Sequence, residues 1–254
     1  MEHYQIINNS ISKYNTDSQG VCPCQRMRTK GNKIVSLDKH IDLLNYTFEV
    51  IYGTESDLTA RQVESACTAL LERGGYSASV SHIIELQYNI NRELTLRVIE
   101  SSPYKDFALR AVRPNAYPFS INCFEVTLQT SASVALVDLL RNLSRHYSCD
   151  IPLCIDNEGK VWSIDGASPI IVKGKKITIS ATIHTVQTEV SSEALANLLN
   201  YQISFEPISF NDALEADELF YVDSRGITSV RSLSEHIYSD NVANLLHRSL
   251  NFIV

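Results

Sequence analysis

The sequence predicts an α+β protein of two domains with a cleft between them. Amphipathic helical segments and strand-like segments occur in separate blocks, and a stretch with two prolines interrupts the chain near residue 117. The chain has 254 residues, 44% of them hydrophobic, which is enough to bury a core in each of two domains. We therefore expect an N-terminal α+β domain over residues 1–116 and a C-terminal α/β domain over residues 117–254.

Two helices are predicted in the first domain. Asp38 is expected to be the N-cap of the first helix, which continues to Gly53. Thr59 and Gln62 have the spacing of a capping box and start the second helix, which is expected to end at Gly74. The predicted buried residues of the two helices are Ile41, Leu44, Phe48, Ile51, Val63, Ala66, Cys67, Leu70 and Leu71.

Strand-like segments occur in both halves of the chain. They combine apolar alternation with flanking turn residues, and they cover residues 33–37, 82–90, 93–100, 106–113, 121–127, 151–155, 160–164, 169–172, 175–180, 218–222 and 227–230. The stretch from Arg113 to Pro118 is expected to be the linker between the domains, because proline lacks the backbone N–H that a strand ladder uses.

Three further helices are predicted in the second half. The first covers residues 133–147, and its spacing predicts that Leu136, Leu139, Leu140 and Leu143 point inward. A second is expected over residues 192–201 with a serine N-cap, and a terminal helix is expected to begin at Asp240.

Charge and hydropathy exclude several partners. The formal net charge is −7, and no cluster of Lys and Arg is present to neutralise phosphates, so nucleic-acid binding is not expected. No apolar run reaches the roughly 18 residues that a membrane span needs, and the N-terminus lacks the pattern of a signal peptide. We therefore expect a cytoplasmic protein that does not bind membranes.

The six cysteines are expected to be reduced thiols. Only Cys22 and Cys24 form a close pair, and no second Cys or His pair follows at the spacing of a zinc site. We therefore expect no metal site.

Four groups of residues carry a family pattern. They are Gly20–Arg28, Gly31–His40, Asp156–Val161 with Ile170–Gly174, and Ala216–Phe220 with Gly226–Arg231. Their order and spacing resemble the class IV aminotransferases, which include branched-chain aminotransferase, D-amino-acid aminotransferase and aminodeoxychorismate lyase. The resemblance implies the two-domain fold of that family with an interdomain cleft, pyridoxal phosphate as the cofactor, and a homodimer in which each cleft is completed by the partner.

The family's catalytic residues are replaced in this sequence. The resemblance places its Schiff-base lysine at Gln129, whose amide nitrogen is delocalised into its carbonyl and cannot condense with an aldehyde. The phosphate-binding arginine falls on Leu43, the glutamate that bonds the ring nitrogen falls on Ser163, and an asparagine falls on Ser168. Pyridoxal phosphate is therefore not expected to be bound covalently.

Part of a phosphate-binding loop is retained. The resemblance assigns backbone amides and a hydroxyl at Gly226, Ile227, Thr228 and Ser229 to phosphate binding. The alternative is that Gly226 is kept only because the turn of the fold requires glycine.

Three functional hypotheses follow from these residues. The first is a class IV aminotransferase-like protein that has lost Schiff-base catalysis and serves as a ligand-binding or regulatory homologue, with a small amino-acid-like or carboxylate ligand. The second is an active aminotransferase or aminodeoxychorismate lyase-like enzyme acting on amino acids, in which Lys173, Lys175 or Lys176 replaces the missing lysine. The third is an unrelated two-domain α/β binding protein. Arg28 and Arg225 are candidates for carboxylate binding, with an exposed surface position as the alternative for each.

Overall fold

The computed structural model describes residues 4–7, 10–13, 20–102, 108–121, 128–183, 185–198 and 200–250. Its contacts divide the chain into two units. Unit 1 comprises Met1–Asp106 and Leu128–Val134, and unit 2 comprises Phe107–Thr127 and Ala135–Val254. Both units contain helices and sheets, so the mixed fold class is confirmed. The boundary near residue 117 and the cleft stay predictions.

The helices of the described residues are α1 (Leu37–Tyr52), α2 (Ala60–Arg73), α3 (Ser131–Ser144), α4 (Val186–Ala196), α5 (Phe210–Leu214) and α6 (Asn241–Leu250), with a 3₁₀ turn at Arg145–Tyr147. The strands of the first half are β1 (Tyr4–Ile7), β2 (Ser10–Lys13), β3 (Cys24–Lys30), β4 (Lys33–Ile34), β5 (Ser81–Tyr88), β6 (Leu94–Ser102) and β7 (Asn115–Ser120). Those of the second half are β8 (Ile151–Ile155), β9 (Lys160–Ile164), β10 (Ile170–Lys173), β11 (Lys176–Ile179), β12 (Gln202–Phe205), β13 (Ile208–Ser209), β14 (Glu218–Asp223), β15 (Gly226–Ser229), β16 (Ser232–Leu233) and β17 (His236–Ile237).

Unit 1 is an antiparallel sheet covered by two helices. Its strand order is β2-β1-β6-β5-β3-β4. The capping box of α2 is confirmed, since the Thr59 hydroxyl and the Gln62 side chain each bond the other residue's backbone. The predicted buried residues of α2 are all confirmed, and together with Leu44, Phe48, Met27 and apolar residues of β5 and β6 they form one core. The helices therefore cover the apolar face of this sheet.

Unit 2 contains two sheets. One has the strand order β12-β11-β10-β14-β15, and the other has the order β13-β9-β8-β7-β16-β17. Residues of both sheets, among them Leu153 and Ile164 of the second and Leu219 and Tyr221 of the first, share one core. Helices α4 and α6 contact each other and β14. The first sheet of unit 2 is thus packed on both faces.

The prediction of an irregular linker at Arg113–Pro118 was wrong. Residues Asn115–Ser120 form β7, which pairs in parallel with β8 from Ala116 to Ser120. β16 pairs with β7 only at Asn115 and Ala116. Pro118 lies beyond that short ladder, where the missing N–H of proline costs no bond to β16.

The predicted start of α4 at Ser192 was also wrong. The helix begins at Val186, because the Thr185 hydroxyl accepts a hydrogen bond from the Thr188 N–H at 3.0 Å. Ser191 and Ser192 lie inside the helix, where their hydroxyls donate to backbone carbonyls of the preceding turn. Ser191 and Ser192 are therefore interior residues of α4 and do not cap it.

Helix α1 begins two residues earlier than predicted. Its N-cap is Ser36 in a left-handed conformation. Asp38 lies in the first turn, where its negative charge interacts favourably with the positive end of the helix dipole. The end at Gly53 is confirmed. Of the predicted strand at 33–37, only Lys33 and Ile34 are in β4.

Other strand predictions had mixed outcomes. The strands at 151–155 and 160–164 are confirmed with the same bounds, and those at 82–90, 93–100, 169–172, 175–180, 218–222 and 227–230 are confirmed with small shifts. Within the predicted strand at 106–113, the described residues form only an isolated bridge between Leu109 and Ile227. Residues 122–127 of the predicted strand at 121–127 lie outside the described residues.

Helix α3 ends earlier than predicted and has a different inward face. Of the four leucines expected inside, only Leu140 is buried. Leu136, Leu139 and Leu143 are exposed.

Candidate functional site

Gln129 lies beside the first residues of β3 in unit 1. Its backbone carbonyl accepts a hydrogen bond from the Cys24 N–H at 3.0 Å. The next residue, Thr130, forms an isolated antiparallel β-bridge with Pro23. The Ser131 N–H donates to the Cys22 carbonyl at 2.9 Å. These backbone bonds hold the segment that carries Gln129 against the residues that lead into β3, and Gln129 is half-buried.

The neighbouring thiols do not supply a charged nucleophile. Cys22 and Cys24 are buried, and burial raises the pKa of both. The Cys22 Sγ lies 3.8 Å from the Ser131 Oγ. The described residues contain no group of three or more His, Cys, Asp or Glu side chains arranged to hold a metal ion.

Leu43, at the position assigned to the phosphate-binding arginine, lies on α1 in unit 1. It is half-buried, and its carbonyl accepts a hydrogen bond from the Thr47 hydroxyl at 2.8 Å. An aliphatic side chain at this point offers no donor to a phosphate.

Ser163 and Ser168 are buried in unit 2, near the hairpin that follows β9. Ser163 is 4% exposed and Ser168 is 1% exposed. The Ser168 hydroxyl donates to the Ile183 carbonyl. The hydroxyl of Ser168 is therefore already bonded within the fold.

The turn between these serines places a carboxylate in the interior. Asp165 and Gly166 have φ values of 52° and 84°, and Ile164 and Ala167 exchange two backbone hydrogen bonds of 2.9 Å. This is the two-residue type I′ hairpin that an Asp-Gly pair favours. The Asp-Gly dipeptide is a turn signal in the sequence, but the ionic role of Asp165 has no signal in the sequence.

Two arginines and a tyrosine bind the Asp165 carboxylate, which is 1% exposed. The Arg141 Nε donates to Oδ1 at 2.9 Å, and the Arg225 Nη2 donates to Oδ2 at 2.6 Å. The Tyr221 hydroxyl donates to the same Oδ2 at 3.0 Å, and burial together with the charge of Asp165 raises the pKa of Tyr221. The interpretation of Arg225 as an exposed arginine was wrong, because it is bound to Asp165 and Asp223.

Arg28 is not exposed either, since only 2% of the residue is accessible. It lies in β3, in register with Ile83 of β5. Neither arginine that the sequence singled out is exposed, since Arg28 is buried and Arg225 is half-buried, and each has interactions within the chain.

Gly226 is required by the fold of unit 2. Its φ is 124°, and a Cβ at this position would lie 2.5 Å from the Ala108 carbonyl oxygen. The Ile227 N–H donates to that same oxygen at 3.0 Å. One of the amides expected to bind phosphate is therefore used by the protein's own backbone, which supports the structural explanation for Gly226.

The next two residues carry buried hydroxyls. Thr228 and Ser229 are both 0% exposed. Arg110 donates from Nη1 to the Thr228 Oγ1 at 3.4 Å, and its backbone N–H donates to the Ile227 carbonyl at 2.8 Å. Arg110 is half-buried and pairs with no carboxylate of the described residues, and the Ser229 Oγ has no hydrogen-bond partner among them. Arg110 was missed by sequence reasoning, because no motif marks it.

Most of the chain matches the model of one protein family. The model for amino-transferase class IV matches residues 25–233. The chain belongs to the class IV aminotransferase family. A search of curated proteins gives no match.

Solved structures of other class IV members have the same fold. An aminotransferase from Brucella abortus bound to PLP superposes with a TM-score of 0.81 at 12% identity, over 100% of this chain and 99% of that one. A branched-chain aminotransferase from Thermoproteus uzoniensis with norvaline gives 0.80 at 12% identity, over 100% and 95%. A hypothetical aminotransferase from Mycobacterium tuberculosis in its PLP-bound form gives 0.77 at 12% identity, over 99% and 100%.

At the positions assigned by the family pattern, the side chains present do not fit covalently bound pyridoxal phosphate. Gln129 supplies an amide, Leu43 an aliphatic group and Ser163 a hydroxyl, whereas covalent attachment needs an amine and the cofactor's charges need partners of opposite sign. The acidic group nearest in sequence to Ser163 is Asp165, and it is neutralised by Arg141 and Arg225.

No described helix is long and apolar enough to cross a membrane. The cytoplasmic location stays a prediction.

Proposed function

We propose that this class IV aminotransferase family member has lost Schiff-base catalysis and acts as a ligand-binding or regulatory homologue. One observation carries the proposal: Gln129 occupies the assigned lysine position, on a segment fixed to β3 by the bond from Cys24 to its carbonyl. An amide at a fixed backbone position cannot form the covalent bond to an aldehyde that the family's chemistry begins with.

The environment of the other candidate lysines supports the same proposal. Lys173 forms an ion pair with Glu215 at 2.7 Å, and its side chain is 58% exposed. Lys176 pairs with Glu206 and is 52% exposed. Both residues flank the turn between β10 and β11, and the pKa of Lys173 is raised by its bond to Glu215. A lysine that is charged and solvated is a poor nucleophile.

A small carboxylate or amino-acid-like ligand is the class that we propose. Support comes from Arg110, a half-buried guanidinium with no carboxylate partner among the described residues, beside the buried Thr228 hydroxyl. A guanidinium that is partly removed from water is stabilised by an anion, and its planar fork matches a carboxylate.

The absorption spectrum of the purified protein tests the loss of catalysis. After incubation with pyridoxal phosphate and dialysis, we expect the spectrum of the protein alone, because no amine holds the cofactor. A chromophore that survives dialysis and changes when an amino acid is added would support the active enzyme instead.

We also propose that the chain forms a homodimer. The proposal rests on membership in the family, and a net charge of −7 on 254 residues is too small to prevent association. Sedimentation velocity at several concentrations tests it, and a monomer at the highest concentration would contradict it.

A further inference from the structure

Two tyrosine rings are stacked in unit 2, one on β7 and one in the 3₁₀ turn that follows α3. The ring centroids of Tyr117 and Tyr147 lie 4.0 Å apart, and the ring planes are inclined by 12°. Aromatic pairs in proteins usually keep their centroids about 4.5–7 Å apart. Among the ring contacts of the described residues, this is the one that joins two tyrosines. Two phenols are therefore held face to face in close contact.

The two hydroxyl groups lie at the same end of the stack. Burial raises the pKa of Tyr117, and the interaction with the neighbouring Tyr147 hydroxyl raises it further. Opposed rings would separate the hydroxyls by the length of a ring and remove this interaction. With the hydroxyls aligned, each carbon ortho to one hydroxyl overlies its counterpart on the other ring at about 4 Å, which is van der Waals contact.

The backbone around the stack keeps the two rings together. The Asp150 N–H donates to the Asn115 carbonyl at 2.8 Å, and the Asn115 N–H donates to the Asp150 Oδ2 at 2.8 Å. These two bonds join the start of β7, just before Tyr117, to the residues just after Tyr147. The contact between the rings is thus fixed by the fold of unit 2.

Phe119 packs against both tyrosines and limits their movement. Its ring centroid lies 4.9 Å from that of Tyr117 at an angle of 63°, and 6.3 Å from that of Tyr147 at 75°. Phenylalanine has no hydroxyl, so it supports the pair without sharing the chemistry of a phenol. Tyr147 is 54% exposed, so a reagent in the solvent can reach the stack.

We propose that Tyr117 and Tyr147 are a site of oxidative modification, at which a one-electron oxidant converts the stacked pair to an intramolecular dityrosine. The oxidant class is a haem peroxidase with hydrogen peroxide. This inference goes beyond the proposed ligand-binding function and is independent of it, because it uses neither Gln129 nor Arg110.

The reaction removes two electrons and two protons from the pair. Each phenol gives one electron to the peroxidase and releases its hydroxyl proton, which leaves two phenoxyl radicals. The unpaired electron of a phenoxyl radical is delocalised onto the ortho carbons, so the radicals combine by forming one carbon–carbon bond there. The hydrogen on each bonded carbon then moves to the oxygen of its own ring and restores the phenol. Hydrogen peroxide takes up the two electrons and two protons and becomes two molecules of water.

The contact between the rings favours coupling within one chain. Because the second phenol is already in place, the bond needs no encounter between two molecules. The product ties the turn after α3 to β7 and closes the chain between residues 117 and 147. A covalent link of this kind restricts the unfolded chain, so the oxidised protein should unfold at a higher temperature than the untreated protein.

Peroxidase treatment of the dilute purified protein tests the proposal. We expect blue dityrosine fluorescence in the single-chain band of a denaturing gel and an intact mass lower by two hydrogen atoms. Peptide mapping should give one cross-linked pair that joins residues 117 and 147. Tyr117→Phe and Tyr147→Phe should each abolish the fluorescence of the single-chain band, because phenylalanine keeps the ring and removes the phenol.

Two further variants serve as controls. Tyr46→Phe is the matched control, since Tyr46 is 58% exposed and contacts no other aromatic ring among the described residues. Cys149→Ser removes the half-buried thiol close to Tyr117. Both variants are expected to give the same single-chain product as the unsubstituted protein.

Several outcomes would overturn the proposal. These are the absence of a single-chain product, a product that forms only between chains, and single-chain fluorescence that persists in Tyr147→Phe. An equal yield from the protein unfolded in urea would show that the folded stack does not direct the coupling, and would overturn it as well.

Discussion

The Arg225 guanidinium binds the Asp165 carboxylate at 2.6 Å and thereby joins the turn after β9 to the turn before β15. Asp165 lies two residues after Ser163, and Arg225 immediately precedes Gly226. The ion pair therefore connects the neighbours of the assigned ring-nitrogen position with the neighbours of the assigned phosphate loop. An internal pair of charges holds these two segments together.

Removing the charge of Asp165 should destabilise the protein strongly. Asp165→Asn leaves Arg141 and Arg225 without their buried partner, and we expect a loss of about 3–5 kcal/mol in the free energy of unfolding. Asp138→Asn is the matched control, because Asp138 also pairs with Arg141 but is 45% exposed. It should cost less than about 1 kcal/mol. Urea unfolding of both variants measures the difference, and equal losses would contradict a special role for Asp165.

Gly226 should tolerate substitution far less well than another glycine of positive φ. Gly159 has a φ of 77° and open space around its Cα. Gly159→Ala should therefore lose only the about 1–2 kcal/mol that an alanine at positive φ costs. Gly226→Ala adds a contact of 2.5 Å with the Ala108 carbonyl, which must move. We expect thermal unfolding to show a loss at least about 2 kcal/mol greater for Gly226→Ala. Similar losses for the two variants would show that Ala108 moves freely.

His40 should make stability depend on pH. Its ring Nδ1–H donates a hydrogen bond to the Gln25 Oε1 at 3.1 Å, and burial lowers the pKa of His40 from 6.5 to about 3. Between these values the unfolded chain binds a proton that the folded chain does not. The contribution of neutral His40 is therefore complete above pH 6.5 and is lost as the pH falls toward 3, at up to about 1.4 kcal/mol per pH unit.

The pH effect of His40 is measured as a difference between two proteins. Urea unfolding at pH 7, 6, 5 and 4 gives the free energy of unfolding of the unsubstituted protein and of His40→Gln. The difference between the two values at each pH cancels the contribution of the other titrating groups. Below pH 6.5, the free energy of unfolding should fall more steeply with decreasing pH for the unsubstituted protein than for His40→Gln. Parallel curves would mean that His40 titrates normally in the folded state.

Arg110 should decide the affinity for carboxylates. Titration calorimetry with succinate and with L-leucine is expected to show binding that Arg110→Ala weakens by about tenfold or more, the value of one charged hydrogen bond. Arg92→Ala is the control, since Arg92 is exposed and pairs with Asp57. Equal affinities of the two variants for these carboxylates would show that Arg110 does not bind them.

Local sequence signals predicted the parts of this fold that local interactions determine. The capping box of Thr59 and Gln62 and the stripe of α2 were confirmed, because a cap and an amphipathic face need only neighbours within one helix. The start of α4 was missed because Ser191 and Ser192 bond to the preceding turn instead of capping. Local pattern does not distinguish these two uses of serine.

The errors that matter for the site come from long-range contacts. The spacing of Leu136, Leu139 and Leu143 shows that they share a face of α3, but their exposure depends on Arg141 and Val137 anchoring the opposite face to the Asp165 turn. Asp165 and Arg225 are 60 residues apart, and their ion pair has no sequence motif. The family pattern assigned Gln129, Leu43 and Ser163 to cofactor positions, but it could not indicate that the Ile227 N–H donates to the Ala108 carbonyl.

The most direct test of lost Schiff-base catalysis is borohydride reduction in the presence of pyridoxal phosphate, followed by intact-mass measurement and peptide mapping. A variant with Gln129→Lys, Leu43→Arg and Ser163→Glu serves as the positive comparison, since it restores the three assigned groups. We predict that the unsubstituted protein keeps its mass while the triple variant gains one pyridoxyl group at residue 129. A stoichiometric pyridoxyl adduct on a single lysine of the unsubstituted protein would contradict it.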